Sequence, residues 1–420
     1  MNCGSNTGGH GSRLMWMRAV RAGILSAAVM LVLVTGSVPA LEATDSVQQA
    51  INVGVAYYQQ GELAKARTQF QRAIAQDAQS FEAHYDLALV YMAEGRYLDA
   101  AGELKICTEL RSEFPELFFQ LGNAYFHAGR FDQAEEAYRK ELARAPEHVA
   151  SRFNLGLSLR KQGRMEEAVA AFEEAVRRDP SFTDGYAELG MTYTDLGRWA
   201  EAESALRSVL KRAPDDYDAR LYLAQALVHQ NQLDQAQGEL TRLVEHDPAD
   251  TQVRLQLGYV YLQQKEWENA LEQVLAVLDI VPNDPTAEYY AGFALMRLER
   301  WQEALPHLEA AAELSPSAQG VWYYLGTIHH ELEQYAAAVQ HYRRALEQDP
   351  NNADIHFNLG TVYLAQKDLD AAAAELQKVI ELNPGDAEAH DLLGNIYMEQ
   401  EHYDLAVEEY ETASTLRGEE

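Results

Sequence analysis

Phe118-Phe119-Gln120-Leu121-Gly122-Asn123-Ala124-Tyr125, then Phe131-Asp132-Gln133-Ala134, then Pro146, is one period of a pattern that runs through most of this chain. In its first part, Phe118, Leu121, Gly122 and Tyr125 fall at helical spacing on one face. In its second part, Ala134, Tyr138 and Leu142 do the same, and Pro146 stands where proline can open the next segment but would break a helix interior. Gly129 lies between the two and supplies a turn. The stretch reads as a helical hairpin.

Sliding the chain against itself by 34 residues returns an alanine without a break at Ala66, Ala100, Ala134, Ala168, Ala202, Ala236, Ala270, Ala304, Ala338, Ala372 and Ala406. A fixed period of this length marks a repeat array. Eleven windows run from Val47 to Glu420 without insertion, with residues 41–46 as a lead-in. Twelve residues before each alanine sits a glycine in nine windows and an alanine, Ala88 or Ala224, in two. A glycine inside a helix costs about 1 kcal/mol relative to alanine. Its recurrence implies a close approach, with the repeated alanine of the second helix as the expected visitor. The turn residue is Gly61, Gly95, Gly129, Gly163 and Gly197 in the first five windows and Asn231, Lys265, Glu299, Glu333, Lys367 and Glu401 thereafter. That change predicts slightly different hairpin corners in the C-terminal half.

These residues resemble the tetratricopeptide repeat (TPR) family over about nine-tenths of the chain. The first-helix series is clear at Phe118-Leu121-Gly122-Tyr125, Tyr186-Leu189-Gly190-Tyr193 and His356-Leu359-Gly360-Tyr363. The second-helix series is clear at Ala168-Phe172-Ala175-Pro180 and Ala338-Tyr342-Ala345-Pro350. Departures are mild: Cys107 stands at a small-residue place, and His329 where tyrosine is usual. The resemblance implies an all-α, right-handed superhelical solenoid of eleven 34-residue helix-turn-helix repeats, lined by its first helices. The final helix is either polar enough to face solvent through Glu408, Glu409 and Glu411, or its stacking face with Tyr410 and Ala413 meets another subunit and makes a homo-oligomer.

The chain carries 34 basic and 65 acidic residues, a net charge of −31 at pH 7, which argues against a groove built to neutralise nucleic-acid phosphates. Apolar residues make up 47%, enough for a large core and too much for a disordered chain. With only Cys3 and Cys107 there is no disulfide framework and no cysteine metal cluster. Charge is uneven: residues 353–420 hold three basic against sixteen acidic residues, so a basic partner would favour the C-terminal half, unless the charge only keeps the surface soluble.

At the N-terminus, Arg13, Arg18 and Arg21 precede an uncharged apolar run from Ala22 to Val34, and Val38-Pro39-Ala40 supplies small residues around a cleavage point. Residues 1–40 read as a signal peptide cleaved after Ala40. The competing reading is an uncleaved anchor over residues 22–41, which would put the chain on a membrane. Either way the array lies outside the cytoplasm, with the periplasm as the expected compartment.

Beside the core stripe, each first helix carries a second stripe displaced by one residue, about 100° around the helix. In TPR arrays this stripe faces the concave groove. The candidate ligand-binding groove is Tyr85, Phe119, Asn123, Phe126, Phe153, Asn154, Tyr259, Tyr289, Phe293, Tyr323 and Phe357. Its rings suit an extended peptide or a partner helix; the alternative is that they pack against neighbouring first helices. Asn123 and Asn154 form the best candidate pair for gripping a peptide backbone, and Arg160 and Lys161 nearby either supply charge or are solvated.

Chemistry is missing from the pattern. There is no Gly-rich phosphate loop, no His-Glu-x-x-His and no Gly-x-Ser-x-Gly. His329, His330 and His341 read as structural or exposed rather than as a metal site. With every residue from Val47 onward assigned to a repeat, no separate catalytic domain fits, and no catalytic residue, cofactor or metal is expected. The expected function is a non-catalytic protein-binding scaffold of the bacterial cell envelope. The alternative is a carbohydrate-binding or polysaccharide-guiding module of an export system.

Overall fold

The computed structural model describes residues 47–318 and 320–418. The signal segment, its cleavage point, the alternative anchor and the lead-in lie outside them. Among the described residues there are 22 α-helices and no strand, and none of these helices is long and apolar enough to cross a membrane.

The chain divides into two compact units, Met1–Gln230 and Asn231–Glu420. The first holds α1 (Val47–Gln59), α2 (Leu63–Gln76), α3 (Phe81–Ala93), α4 (Tyr97–Leu110), α5 (Leu117–His127), α6 (Phe131–Arg144), α7 (Val149–Lys161), α8 (Met165–Arg178), α9 (Thr183–Asp195), α10 (Trp199–Leu210) and α11 (Tyr217–His229). The second holds α12 (Leu233–His246), α13 (Thr251–Gln264), α14 (Trp267–Ile280), α15 (Pro285–Arg297), α16 (Trp301–Leu314), α17 (Val321–Glu331), α18 (Tyr335–Gln348), α19 (Ala353–Ala365), α20 (Leu369–Leu382), α21 (Ala387–Glu399) and α22 (Tyr403–Arg417). Odd-numbered helices are the first helices of the sequence windows and even-numbered ones the second. Within each unit the helices pack in chain order as a solenoid: each hairpin closes on itself, and its second helix packs on the next first helix. First helices also touch their successors, as α1 does α3 and α9 does α11 in one unit, and α13 does α15 and α15 does α17 in the other. Side chains on that face therefore come together from several repeats.

Most of the short loops before first helices end in side-chain caps, those ending at Glu116, Phe182 and Gly320 excepted. Asp250 accepts from the Gln252 and Val253 amides at 2.9 and 3.0 Å, and Asp284, Asn352 and Asp386 repeat the arrangement, satisfying amides that have no partner within the helix. Every repeated alanine, from Ala66 to Ala406, is completely buried.

The structure corrects two expectations about the hairpin. The visitor at the first-helix glycine is the bulky residue four places after the alanine, not the alanine. A Cβ on Gly122 would stand 2.5 Å from Tyr138 Cε1, on Gly156 2.5 Å from Phe172 Cε1, and on Gly326 2.6 Å from Tyr342 Cδ1. A helix backbone without Cβ receives a whole ring, which buries more apolar area than a methyl group would. The corners, too, are alike throughout. Lys265, Glu299, Glu333, Lys367 and Glu401 adopt φ of 58–64°, the left-handed region that Gly61 to Gly197 occupy at 70–77°. The corner geometry is set by the packed helices, so residues other than glycine accept the strain.

One register ties the two helices of a hairpin by polar contact. His84 Nδ1 lies 2.5 Å from Glu103 Oε2, and His356 Nδ1 lies 2.6 Å from Glu375 Oε2, each pair 19 residues apart; His390 and Glu409 repeat it. At the same register α15 and α16 carry the pair in reverse order, Glu288 with His307 Nδ1 at 2.5 Å. Where neither order occurs, Arg254 donates to Gln273 at 2.8 Å, and Trp322 stacks on His341 with ring centroids 5.8 Å apart.

Candidate functional site

In the first unit the candidate groove residues are largely consumed by packing. Phe119, Phe126 and Phe153 expose only 5%, 7% and 6% of their surface, which removes them as open ligand platforms. Phe153 meets Phe182 edge-on at 4.9 Å and Phe172 at 5.6 Å; Phe119 meets His148 at 4.9 Å; Phe126 meets Phe131 at 5.4 Å. The single-residue stripe offset points Phe119 and Phe153 into the crevice between hairpins, where His148 and Phe182 of the following loops close over them, while Phe126 is covered within its own hairpin by Phe131. Asn123 and Asn154 do sit together, but they bind each other: Asn154 Nδ2 donates to Asn123 Oδ1 at 2.9 Å, and the Tyr138 hydroxyl donates to the same oxygen at 2.8 Å. Arg160 is committed to Glu188 and Asp195 at 2.7 and 2.8 Å, while Lys161 is exposed. Tyr85 remains half-buried, against Phe114 at 5.2 Å.

Beside Tyr85, Asp86 has no hydrogen-bond partner among the described residues. Burial, helped by the Glu82 carboxylate, pushes its carboxyl up to about 7, and burial likewise carries the Tyr85 hydroxyl up to about 12. Sequence reading passed Asp86 over because aspartate has no apolar signature; it sits one residue beyond the stripe, in the register of Asn154 and Asn358.

The second unit keeps its aromatic face open. Tyr259 on α13 is 37% exposed and 6.2 Å from Tyr290 on α15. Tyr290 neighbours Tyr289 at 6.0 Å, Tyr289 neighbours Tyr324 on α17 at 6.0 Å, and Tyr324 neighbours both Phe293 at 5.2 Å and Tyr323 at 5.4 Å. Asn358 on α19 donates to the Tyr323 hydroxyl at 3.1 Å. Phe357, like Tyr289, Tyr290, Phe293, Tyr323 and Tyr324, is half-buried. The result is a ladder of rings crossing three successive first helices, α13, α15 and α17, to which α19 is joined by the Asn358 hydrogen bond. Tyr290 and Tyr324 are absent from the sequence-derived set: they fall one residue past the stripe, a register that contributes only an amide, Asn154, to that set.

His329 and His341 stack at 4.9 Å with planes 5° apart, and His329 Nδ1 lies 2.7 Å from Gln334 Oε1. Burial, with His329 and Arg344 beside it, lowers the His341 imidazole to about 4. No group of three or more metal-ligating side chains occurs among the described residues. Cys107 is buried, and that burial pushes its thiol up to about 12. At the last hairpin, Ala413 is completely buried and Tyr410 covers Gly394, so these two are used inside the hairpin rather than on an open stacking face; Leu405, Val407 and Leu416 are exposed.

Comparison with known families agrees with this architecture. Models described as "Tetratricopeptide repeat" match residues 119–181, 159–215 and 193–254, one described as "TPR repeat" matches 54–95, and one for the "Cilia and flagella-associated protein 70 C-terminal domain" matches 240–420. The chain is a tetratricopeptide repeat protein. DnaJ homolog subfamily C member 3 of Gallus gallus is 30% identical over 102 residues, 24% of this TPR protein and 20% of the relative. Its Homo sapiens counterpart is 29% identical over 100 residues, with the same shares. The chain spans about a fifth of the curated relatives it matches. Among solved structures, YrrB, described as a TPR protein with an unusual peptide-binding site, is 26% identical over 45% of this chain and 97% of its own, with a TM-score of 0.42. The Cut9-Hcn1 hetero-tetramer of the APC/C is 14% identical over 90% of this chain and 95% of its own, also with a TM-score of 0.42.

Proposed function

We propose that this TPR protein is a non-catalytic scaffold that holds an extended or helical segment of another protein along the first-helix face of its repeats, and that it works outside the cytoplasm in a bacterial envelope. The observation that carries the binding reading is the ladder from Tyr259 to Tyr323, which keeps rings accessible after intramolecular packing has buried Phe119, Phe126 and Phe153. Tyrosine faces with polar tips suit a ligand that brings both apolar and hydrogen-bonding groups. The charged N-terminal region, apolar run and small-residue site of residues 1–40 support the compartment.

A photocrosslinking residue in place of Tyr259 or Tyr323, introduced in the native host, tests the reading, with adducts and the mature N-terminus identified by mass spectrometry. A discrete protein adduct on a chain beginning at Leu41 is the expected result. A heterogeneous high-mass smear that disappears in a Tyr289→Ala, Tyr323→Ala variant would replace the protein partner by a polysaccharide. A chain retaining residues 1–40 would replace cleavage by anchoring.

A further inference from the structure

We propose that the tyrosine ladder of the second unit docks a lysine- or arginine-rich extended segment of a partner protein; this rests on the scaffold reading above and names the chemistry of its partner. The charge of the unit and the make-up of its ladder helices both favour this occupant. Residues 231–420 carry 10 basic against 35 acidic residues, whereas residues 1–230 carry 24 against 30, so the negative charge of the chain is concentrated in the unit that bears the ladder. The four ladder helices, α13, α15, α17 and α19, contain no lysine and two arginines, both turned to other work. Arg254 donates to Gln273 at 2.8 Å and to the Pro248 carbonyl at 2.7 Å, and Arg297 lies over the Trp267 ring at 5.2 Å. Aromatic rings accept cations, as elsewhere in the same unit, where the Arg344 guanidinium sits 3.6 Å from the centre of Trp322, a ring outside the ladder; an incoming arginine on Tyr259 or Tyr290 would adopt the same face-on geometry.

The physical division of labour follows. The acid-rich repeats raise the local concentration of a basic segment and speed its encounter, an effect that salt screens beyond about 8–10 Å. The ladder then supplies short-range contact, guanidinium or ammonium groups over ring faces and the aliphatic stems of those side chains along the ring edges. Asp354, which acts on the Tyr323 hydroxyl, places a carboxylate at the α19 end of the ladder. The acids lie mostly outside the ladder helices, which hold only Glu288, Glu331 and Asp354, so the charge acts as a field of the whole unit that repels an acidic segment and is indifferent to a neutral one.

The test uses the full chain and two fluorescein-labelled decamers of alternating glycine, one with arginine and one with glutamate, read by fluorescence anisotropy. The arginine decamer is expected to bind, to weaken at least tenfold in Tyr259→Ser with Tyr290→Ser, and to weaken with added salt. Tyr259→Ser alone, at a ring already exposed, should lose about threefold with unchanged helicity, which keeps the test valid if the double variant is unstable. Tyr403→Ser, at an exposed tyrosine of α22, should lose nothing. Equal losses in Tyr403→Ser and Tyr259→Ser, or equal binding of the glutamate decamer, would overturn the docking site in favour of nonspecific attraction. A discrete crosslinked protein without arginine-decamer binding would overturn the basic partner and leave the scaffold standing; neither adduct nor binding would overturn both.

Discussion

Tyr138 fills the space where Gly122 has no side chain: a Cβ built on Gly122 would stand 2.5 Å from Tyr138 Cε1, and the Tyr138 hydroxyl reaches past it to Asn123. Gly122→Ala should therefore cost about 2–3 kcal/mol, the usual penalty of overpacking, because a completely buried ring has nowhere to move. Gly360→Ala is the control. Its nearest neighbour is Leu376 Cγ at 3.2 Å, and the gain of about 1 kcal/mol in helix propensity offsets the contact. Urea midpoints followed by circular dichroism should separate the two variants clearly; equal midpoints would contradict the ring-on-backbone account.

The register shared by His356–Glu375 and the reversed Glu288–His307 allows an exchange experiment. His356→Ala or Glu375→Ala should each cost about 1–3 kcal/mol, since each strands a polar partner in a largely buried place. Exchanging both residues should return most of that loss. The remaining deficit, about 1 kcal/mol, is the contact between His356 Nε2 and the Pro350 carbonyl at 3.1 Å, which a glutamate there would not make. An exchange variant no more stable than the single ones would show that the two positions are not equivalent.

The corner residues of the second unit store removable strain. Lys265, Glu299, Glu333 and Lys367 all hold φ between 58° and 63°. Glycine at any of them should stabilise the chain by about 0.5–1 kcal/mol, less than the full left-handed penalty because glycine loses more backbone entropy on folding. The four changes lie in separate hairpins, so their thermal shifts should add. Gly129→Glu should move the midpoint the other way by a similar amount.

The array itself was legible in the sequence because a solenoid repeats one packing problem, and each solution leaves the same alanine and glycine at the same spacing. The choice among groove residues was less so. Phe153 and Tyr323 occupy the same stripe register, yet one is sealed by Phe182 from the following loop and the other, with Asn352 at that loop place, stays half-buried. That difference goes with the residue the next loop contributes, which no property of Phe153 or Tyr323 records. The Asn123–Asn154 pair was found by register and then proved to satisfy itself, since two amides close enough to share a ligand are also close enough to bond each other. Tyr290 and Tyr324 were missed because the register of Asn154 was read for backbone-gripping amides and not for rings, although it lies on the same accessible arc.

Two half-buried titrating groups predict opposite responses to pH in the two units. Asp86 has a folded-state value near 7 against 3.8 for the ordinary carboxyl, so the folded state binds the extra proton. Its unit loses stability as pH rises from about 4 to 7. Asp86→Asn should match wild type at pH 4 and exceed it at pH 8 by about 2 kcal/mol, read from urea midpoints. His341 runs the other way: its imidazole is lowered from 6.5 to about 4, so the folded state excludes a proton that the unfolded state binds, and stability falls as pH drops through that window. His341→Phe keeps a ring stacked between Trp322 and His329 without the titration. At pH 4 that variant should be the more stable by about 1 kcal/mol, a figure held down by solvent screening at a half-exposed ring. By pH 7.5 the two should coincide, and a gap that persists there would mean that the phenyl ring acts through packing rather than through the lost proton.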